Sequence, residues 1–332
     1  MSESHKIAVI GGGSWATAIV KMLCNNAKEV HWWIRSQTVI DHIKKHKHNP
    51  NYLTSVEFET NKLVLSADLK EVVANADILI MAVPSAFLKE ALNELTEADF
   101  KNKKVFSAIK GIVPEHNLIV GEFFNTIYNI PFEDIGVITG PCHAEEVAME
   151  KLSYLTIASQ NTASAMYVAS QLNCRYIKTT VSDDIFGTEF SAVLKNVFAI
   201  ASGICHGLGY GDNFQAVLIS NAIQEIKAFV DVVHPIDRDI KSSAYLGDLL
   251  VTAYSQFSRN RMFGNMIGKG YSVRYAQLEM NMVAEGYYGV KCIYEINKKY
   301  KVDMPITDAV YNIVYEKISP TIEMKLLTDK LS

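Results

Sequence analysis

The chain has 332 residues, 49% of them hydrophobic and 20% charged, with a formal net charge of −4. That length accommodates two ordinary domains with ample cores, and the composition excludes a disordered chain. A mildly acidic balance gives no reason to expect nucleic acid or an anionic membrane as partner, although local basic clusters can still hold a small phosphorylated molecule.

In chain order, Lys6–Ile10 runs into a glycine turn and reads as a first strand, not as a signal peptide. Further strand candidates are Val30–Ile34, Ile78–Val83, Val105–Ala108 and Val137–Thr139, with Leu155–Ala158 and Tyr176–Thr179 as additional ones. Between them lie helical patterns at Ala16–Asn25, Val39–Lys45 and Phe87–Leu95. The alternation implies a parallel sheet with crossover helices. From about Asp184 the character changes to long apolar-periodic segments: Ile185–Gly203, Phe214–Val233 and Val283–Tyr300. The expected fold is α/β: a Rossmann-type, doubly wound domain over 1–185, then an all-helical domain over 186–332. No apolar stretch reaches the roughly 18 residues of a membrane span. Cys24, Cys142, Cys174, Cys205 and Cys292 are scattered and lack C-x-x-C spacing, as for reduced thiols in a cytoplasmic protein.

The first chemical signal is Gly11-Gly12-Gly13-Ser14-Trp15-Ala16, a G-x-G-x-x-A dinucleotide fingerprint after a strand. Gly11 permits the turn, Gly13 the approach of a pyrophosphate, and Ala16 close packing of helix on strand. An NAD site usually places an acidic residue about 20 positions on. Here Arg35 and Ser36 end the second strand, which favours NADP(H), with NAD(H) as the alternative. Arg35 stacked on the adenine would make no such choice. His42 and His46 are spaced like metal ligands, but Lys44, Lys45 and Lys47 oppose a cation there, and no metal is expected. Cys142 beside His143 suggests a thiol nucleophile, yet adjacent residues rarely form such a dyad, and hydride transfer needs no covalent intermediate.

Lys195 stands in a helix that is apolar nearly all round, Phe190 to Ala201. A charge there is costly unless partnered, and burial would lower its pKa into a range useful for proton transfer. A lysine that snorkels its head into water is the plain alternative. Lys110-Gly111 and the Gly140–Glu146 segment follow strands, where loops face a ligand crevice. Gly247-Asp248 and Ser258-Arg259-Asn260-Arg261 stand out in the helical half, the latter suited to phosphate if it opens a helix.

Together these segments resemble the NAD(P)-dependent sn-glycerol-3-phosphate dehydrogenases of the bacterial type. The resemblance runs through the whole chain in order: Gly13-Ser14-Trp15, Lys110-Gly111, Gly140-Pro141, Glu145–Ala148, Leu194–Val197, Gly247–Leu249, Ser258–Arg261 and Glu285-Gly286. It implies that Lys195 is the acid/base for the substrate C2 oxygen, Lys110 a second cation near the substrate, and Asp248 the orienting carboxylate. By the same resemblance Ser258, Arg259 and Asn260 grip the substrate phosphate, with Arg259 also near the cofactor. Gly140, Cys142 and Asn196 complete the substrate set. Ser14, Trp15, Arg35, Tyr52, Lys110, Ala144, Val283 and Glu285 become cofactor contacts. Three departures tune this picture: Cys142 replaces the usual serine, His143 replaces a phenylalanine, and Glu189–Val193 is bulkier than the usual Glu-Leu-Gly-Gly-Ala.

The expected reaction is interconversion of dihydroxyacetone phosphate and sn-glycerol 3-phosphate, feeding phospholipid synthesis, with the site in the cleft between the domains. The alternatives are a related lysine-dependent dehydrogenase of another phosphorylated substrate, and a non-catalytic NAD(P)H sensor. The residues do not fix the oligomeric state; a homodimer is the working expectation.

Overall fold

The computed structural model describes residues 5–280 and 283–332 and divides into two compact units. The first comprises residues up to Ile109 and Val120–Ile185; the second comprises Lys110–Ile119 and Phe186–Ser332.

The first unit is built on an eight-stranded sheet. Its strands are β1 (Ile7–Ile10), β2 (Val30–Trp33), β3 (Leu63–Ser66), β4 (Ile78–Met81), β5 (Lys104–Ser107), β8 (Ile135–Thr139), β9 (Ser153–Ser159) and β10 (Ile177–Ser182). The order is β10-β9-β8-β5-β4-β1-β2-β3. Every residue of β1, β2 and β4 is buried, as expected of strands covered on both faces. The all-parallel expectation is corrected at one place: β8 pairs antiparallel with β9, while β9 and β10 run parallel to each other. The connection from β8 carries only the short helix Ala144–Ala148, so the chain returns along the neighbouring edge instead of crossing over. β3 was not expected; it is a half-exposed edge strand whose apolar run, Leu63-Val64-Leu65, is only three residues long.

The strand order reverses beside β1, which has β2 on one side and β4 on the other. Ligands of open α/β sheets bind at such a switch point. The glycine turn of the fingerprint leaves β1 there and enters helix α1 (Ser14–Leu23).

The second unit holds a two-stranded hairpin, β6 (Ile112–Val113) with β7 (Leu118–Ile119), and otherwise helices among the described residues. The principal helices are α2 (Ile185–Gly207), α3 (Asp212–Val233), α4 (Asp248–Tyr254), α5 (Arg259–Gly268), α6 (Glu285–Tyr300) and α7 (Pro305–Val314). By averaged hydropathy α2 is long and apolar enough to cross a membrane, contrary to the reading from the sequence, but 89% of its apolar window is buried in the protein. Glu189, Lys195 and Asn196 interrupt any unbroken apolar run, which is why a residue-by-residue reading passes over it.

Two devices set this unit's geometry. Glycines bring α2 and α5 into backbone contact: a Cβ at Gly264 would stand 2.1 Å from the Ile200 carbonyl oxygen, and one at Gly203 2.1 Å from that of Arg261. Buried Glu225 on α3 caps α7, accepting from the Ile306 and Thr307 amides and the Thr307 hydroxyl at 2.6–3.0 Å. Burial still raises its pKa to about 7 despite those bonds.

Candidate active site

The second unit gathers Lys195, Lys110 and Asp248 into one cluster. Lys195 lies mid-α2 and is 4% exposed. A stretch of π-helix, Ser243–Gly247, sets Asp248 at the first position of α4, where its carboxylate is 1% exposed. Lys195 Nζ donates to Asp248 Oδ1 and, at 3.0 Å, to Thr252 Oγ1. Lys110 Nζ lies 3.0 Å from Asp248 Oδ2. Two cations therefore share one buried carboxylate.

The protonation equilibria follow from this arrangement. Burial draws the Lys195 pKa down and the Lys110 ammonium adds to the effect; Asp248 opposes both, leaving it at about 7. For Asp248, burial pushes the pKa up, but the two ammonium groups outweigh it and hold the carboxyl below its ordinary value. Lys195 is thus no snorkelling lysine. It is a buried amine poised to hold or release a proton near neutrality, as acid–base catalysis requires.

The sequence reasoning missed Thr252. Its hydroxyl donates to the Asp248 carbonyl at 2.6 Å, which turns a lone pair towards Lys195. Its spacing of four from Asp248 on one helix is the signal available.

The other substrate candidates lie around this centre. Asn196 Nδ2 donates to the Lys110 carbonyl at 2.7 Å, fixing the backbone that presents Lys110. Ser258 caps α5, its hydroxyl accepting from the Arg261 amide at 3.3 Å, and half-buried Arg259 is the helix's first residue. Asn260 Oδ1 accepts from the Gly286 amide at 2.9 Å, and a Cβ at Gly286 would stand 2.6 Å from the Asn196 carbonyl oxygen. The starts of α5 and α6 are thereby locked beside the turn that carries Lys195 and Asn196. Glu285 is the first residue of α6, and Val283 lies two residues before it.

The remaining candidates belong to the first unit. Gly11 has φ +137°, and a Cβ there would stand 2.5 Å from the Ala82 carbonyl oxygen just beyond β4, so only glycine fits. A Cβ at Gly13, by contrast, meets nothing within 4 Å. Gly13 starts α1 with no capping side chain; Ser14 is buried and Trp15 half-buried, with the Trp15 indole N–H buried and unpartnered. Open space above a helix N-terminus suits a dinucleotide pyrophosphate. Arg35 is exposed at the end of β2, while Ser36 caps the helix Gln37–His46 through the Val39 amide at 3.4 Å. Gly140 has φ +115°, Cys142 and Ala144 are buried, and Tyr52 is half-buried. Asn49, also missed, is completely buried against the glycine turn.

A dinucleotide-type switch point and a buried lysine–carboxylate centre on one chain define a nicotinamide-dependent oxidoreductase. The family models of the N-terminal and C-terminal parts of NAD-dependent glycerol-3-phosphate dehydrogenase match residues 6–165 and 184–325. The glycerol-3-phosphate dehydrogenase (NAD(P)+) of Bacillus pumilus is 34% identical over 321 residues, 96% of this chain and 93% of that protein. The Staphylococcus aureus enzyme of the same name is 32% identical, covering 95% of each chain. The crystal structure of glycerol-3-phosphate dehydrogenase from Coxiella burnetii superimposes with a TM-score of 0.90 at 28% identity, covering 98% of this chain and 99% of that one. The chain belongs to the NAD-dependent glycerol-3-phosphate dehydrogenase family and is an NAD(P)-dependent oxidoreductase.

Proposed function

We propose that this protein interconverts dihydroxyacetone phosphate and sn-glycerol 3-phosphate, with Lys195 as the general acid/base and NADP(H) as the favoured cofactor. The observation that carries the reading is the Lys195–Asp248–Lys110 cluster, in which an amine of pKa about 7 is buried against a shared carboxylate. The bound nicotinamide supplies or accepts the hydride. Lys195 gives its proton to the C2 oxygen in ketone reduction and takes it back from the C2 hydroxyl in alcohol oxidation. Lys110 steadies the negative charge that develops on that oxygen, and Asp248 holds both ammonium groups in place.

The α5 start, with Ser258, Arg259 and Asn260, suits the substrate phosphate: a helix N-terminus favours an anion, and Arg259 adds a planar charged donor. Gly140, Cys142 and Asn196 complete the substrate assignment. Gly11, Gly13, Ser14, Trp15, Arg35, Ser36, Tyr52, Lys110, Ala144, Arg259, Val283 and Glu285 are assigned to the cofactor. Arg35 offers a 2′-phosphate a cation, the basis for favouring NADP(H). The product would serve as a phospholipid backbone in the cytoplasm.

The test is oxidation of NADPH and NADH by purified protein, followed by absorbance, with dihydroxyacetone phosphate and with unphosphorylated dihydroxyacetone. Fast oxidation that requires the phosphate, with NADPH preferred, is expected. Folded protein that oxidises neither cofactor would reject the assignment.

A further inference from the structure

We propose that Asn49 is a positioning residue for the cofactor: its side-chain amide sets the direction in which the glycine turn presents its backbone N–H groups. The inference rests on the reading of that turn as the pyrophosphate cradle.

Asn49 is fully buried, and each hydrogen-bonding site of its amide is used. Nδ2 donates to the Gly12 carbonyl at 3.2 Å and to Thr17 Oγ1 at 2.9 Å. Oδ1 accepts from the Asn51 amide at 3.0 Å and the Tyr52 amide at 3.3 Å. Flipping the amide would set oxygen against oxygen and N–H against N–H, so the orientation is fixed. The Thr17 hydroxyl then relays the contact, donating to the Gly13 carbonyl at 2.9 Å. Two successive carbonyls, of Gly12 and Gly13, are thereby held towards Thr17 and Asn49.

A trans peptide directs its N–H opposite to its carbonyl. Holding the Gly12 and Gly13 carbonyls therefore points the N–H groups of Gly13 and Ser14 the other way. Those N–H groups flank the position where a Cβ at Gly13 would meet nothing. A glycine-rich turn gains this ability to approach a ligand at the cost of backbone freedom, and the Asn49–Thr17 brace removes that freedom in advance. The brace itself is well anchored. Pro50 restricts Asn49 to extended backbone, and the Asn49 side chain closes a turn over Asn51 and Tyr52. Lys47 and Leu53, at either end of this segment, both adopt positive φ, and the Lys47 carbonyl accepts from the Phe58 amide at 2.7 Å.

Asn49→Asp is nearly isosteric and keeps the turn over residues 51 and 52, but it replaces the donor by an anionic acceptor facing the Gly12 carbonyl. Its Kd and KM for NADPH and NADH should rise roughly tenfold or more, with kcat at saturating cofactor within about threefold of wild type. Thr17→Val, which removes the relay and with it one acceptor of the Asn49 amide, should weaken both cofactors by about threefold. Gly13→Val serves as the control, since it fills the open space above the turn without touching the brace. If Gly13→Val binds NADPH normally, the cradle reading fails, and this inference with it. If Gly13→Val loses NADPH while Asn49→Asp binds it like wild type and shows only a lower Tm, Asn49 merely supports the fold and the inference is overturned. Should Asn49→Asp fail to fold, Thr17→Val decides: unchanged cofactor affinity overturns the inference, and the threefold loss upholds it.

Discussion

Replacing Asp248 by asparagine keeps the shape of the buried centre and removes its negative charge, which isolates what the carboxylate does for Lys195. Burial and Lys110 both draw the Lys195 pKa down, and Asp248 is what holds it near 7. At neutral pH the ammonium and amine forms are then close in free energy. Removing one partner of a buried ion pair usually costs about 3–5 kcal/mol, because the other charge is stranded. Lys195 escapes that penalty by becoming neutral, so a stability loss of about 1–3 kcal/mol is expected, from mismatched hydrogen bonds at the two lysines. Activity suffers more. Ketone reduction needs the proton on Lys195, and without Asp248 only the influences that lower its pKa remain. The kcat for reduction at neutral pH should fall by about 10²–10⁴, and the alkaline limb of its pH profile should move to lower pH. Alcohol oxidation needs the amine form and should lose less. The assay is kcat against pH in both directions, with chemical denaturation of the same protein. An alkaline limb that stays in place while activity is merely scaled down would refute Asp248 as the group that sets this proton affinity.

Lys195→Ala should abolish turnover and leave NADPH affinity within a few-fold; parallel loss of cofactor binding, read by fluorescence titration, would count against the acid/base role. Arg35→Asp should shift preference towards NADH, and an unchanged NADPH-to-NADH ratio of kcat/KM would remove Arg35 from the selectivity argument. In Gly264→Ala the new Cβ would lie 2.1 Å from a backbone oxygen that cannot yield without parting α2 from α5, so a loss of about 1–3 kcal/mol or more is expected in denaturant melts. Stability should also vary with pH in two windows. Glu225 binds its proton more tightly when folded, so its contribution falls as pH rises from 4.5 to about 7; Lys195 binds its proton less tightly when folded, so its contribution grows from about 7 to 10.5. Glu225→Gln should flatten the first slope of Tm against pH and Lys195→Met the second; slopes that survive both changes would sink this assignment.

What the sequence displays depends on whether a residue is anomalous where it stands. β1 and β4 were legible because strands covered on both faces read as unbroken apolar runs, whereas β3 sits half-exposed at the sheet edge, and β6 and β7 are two residues each. The reversal at β9 left no mark, since direction is decided by the connection and not by the strand's own composition. Lys195 was conspicuous because a charge contradicts its apolar helix. Asp248 and Lys110 contradict nothing locally; they meet across 138 positions of chain, and family resemblance was needed to join them. Ser36 and Ser258 show the opposite ambiguity. A serine before a helix is fully explained by capping, so its sequence position cannot separate a cap from a ligand contact; both cap their helices, a role that does not exclude the ligand contact assigned to them. Asn49 went unread for a related reason: Asn-Pro-Asn-Tyr announces a turn, and the turn is present. What makes Asn49 unusual is its burial against Gly12 and Thr17, more than thirty residues away. A polar residue whose local role is already satisfied gives no sign of a second one until the fold shows what its remaining atoms touch.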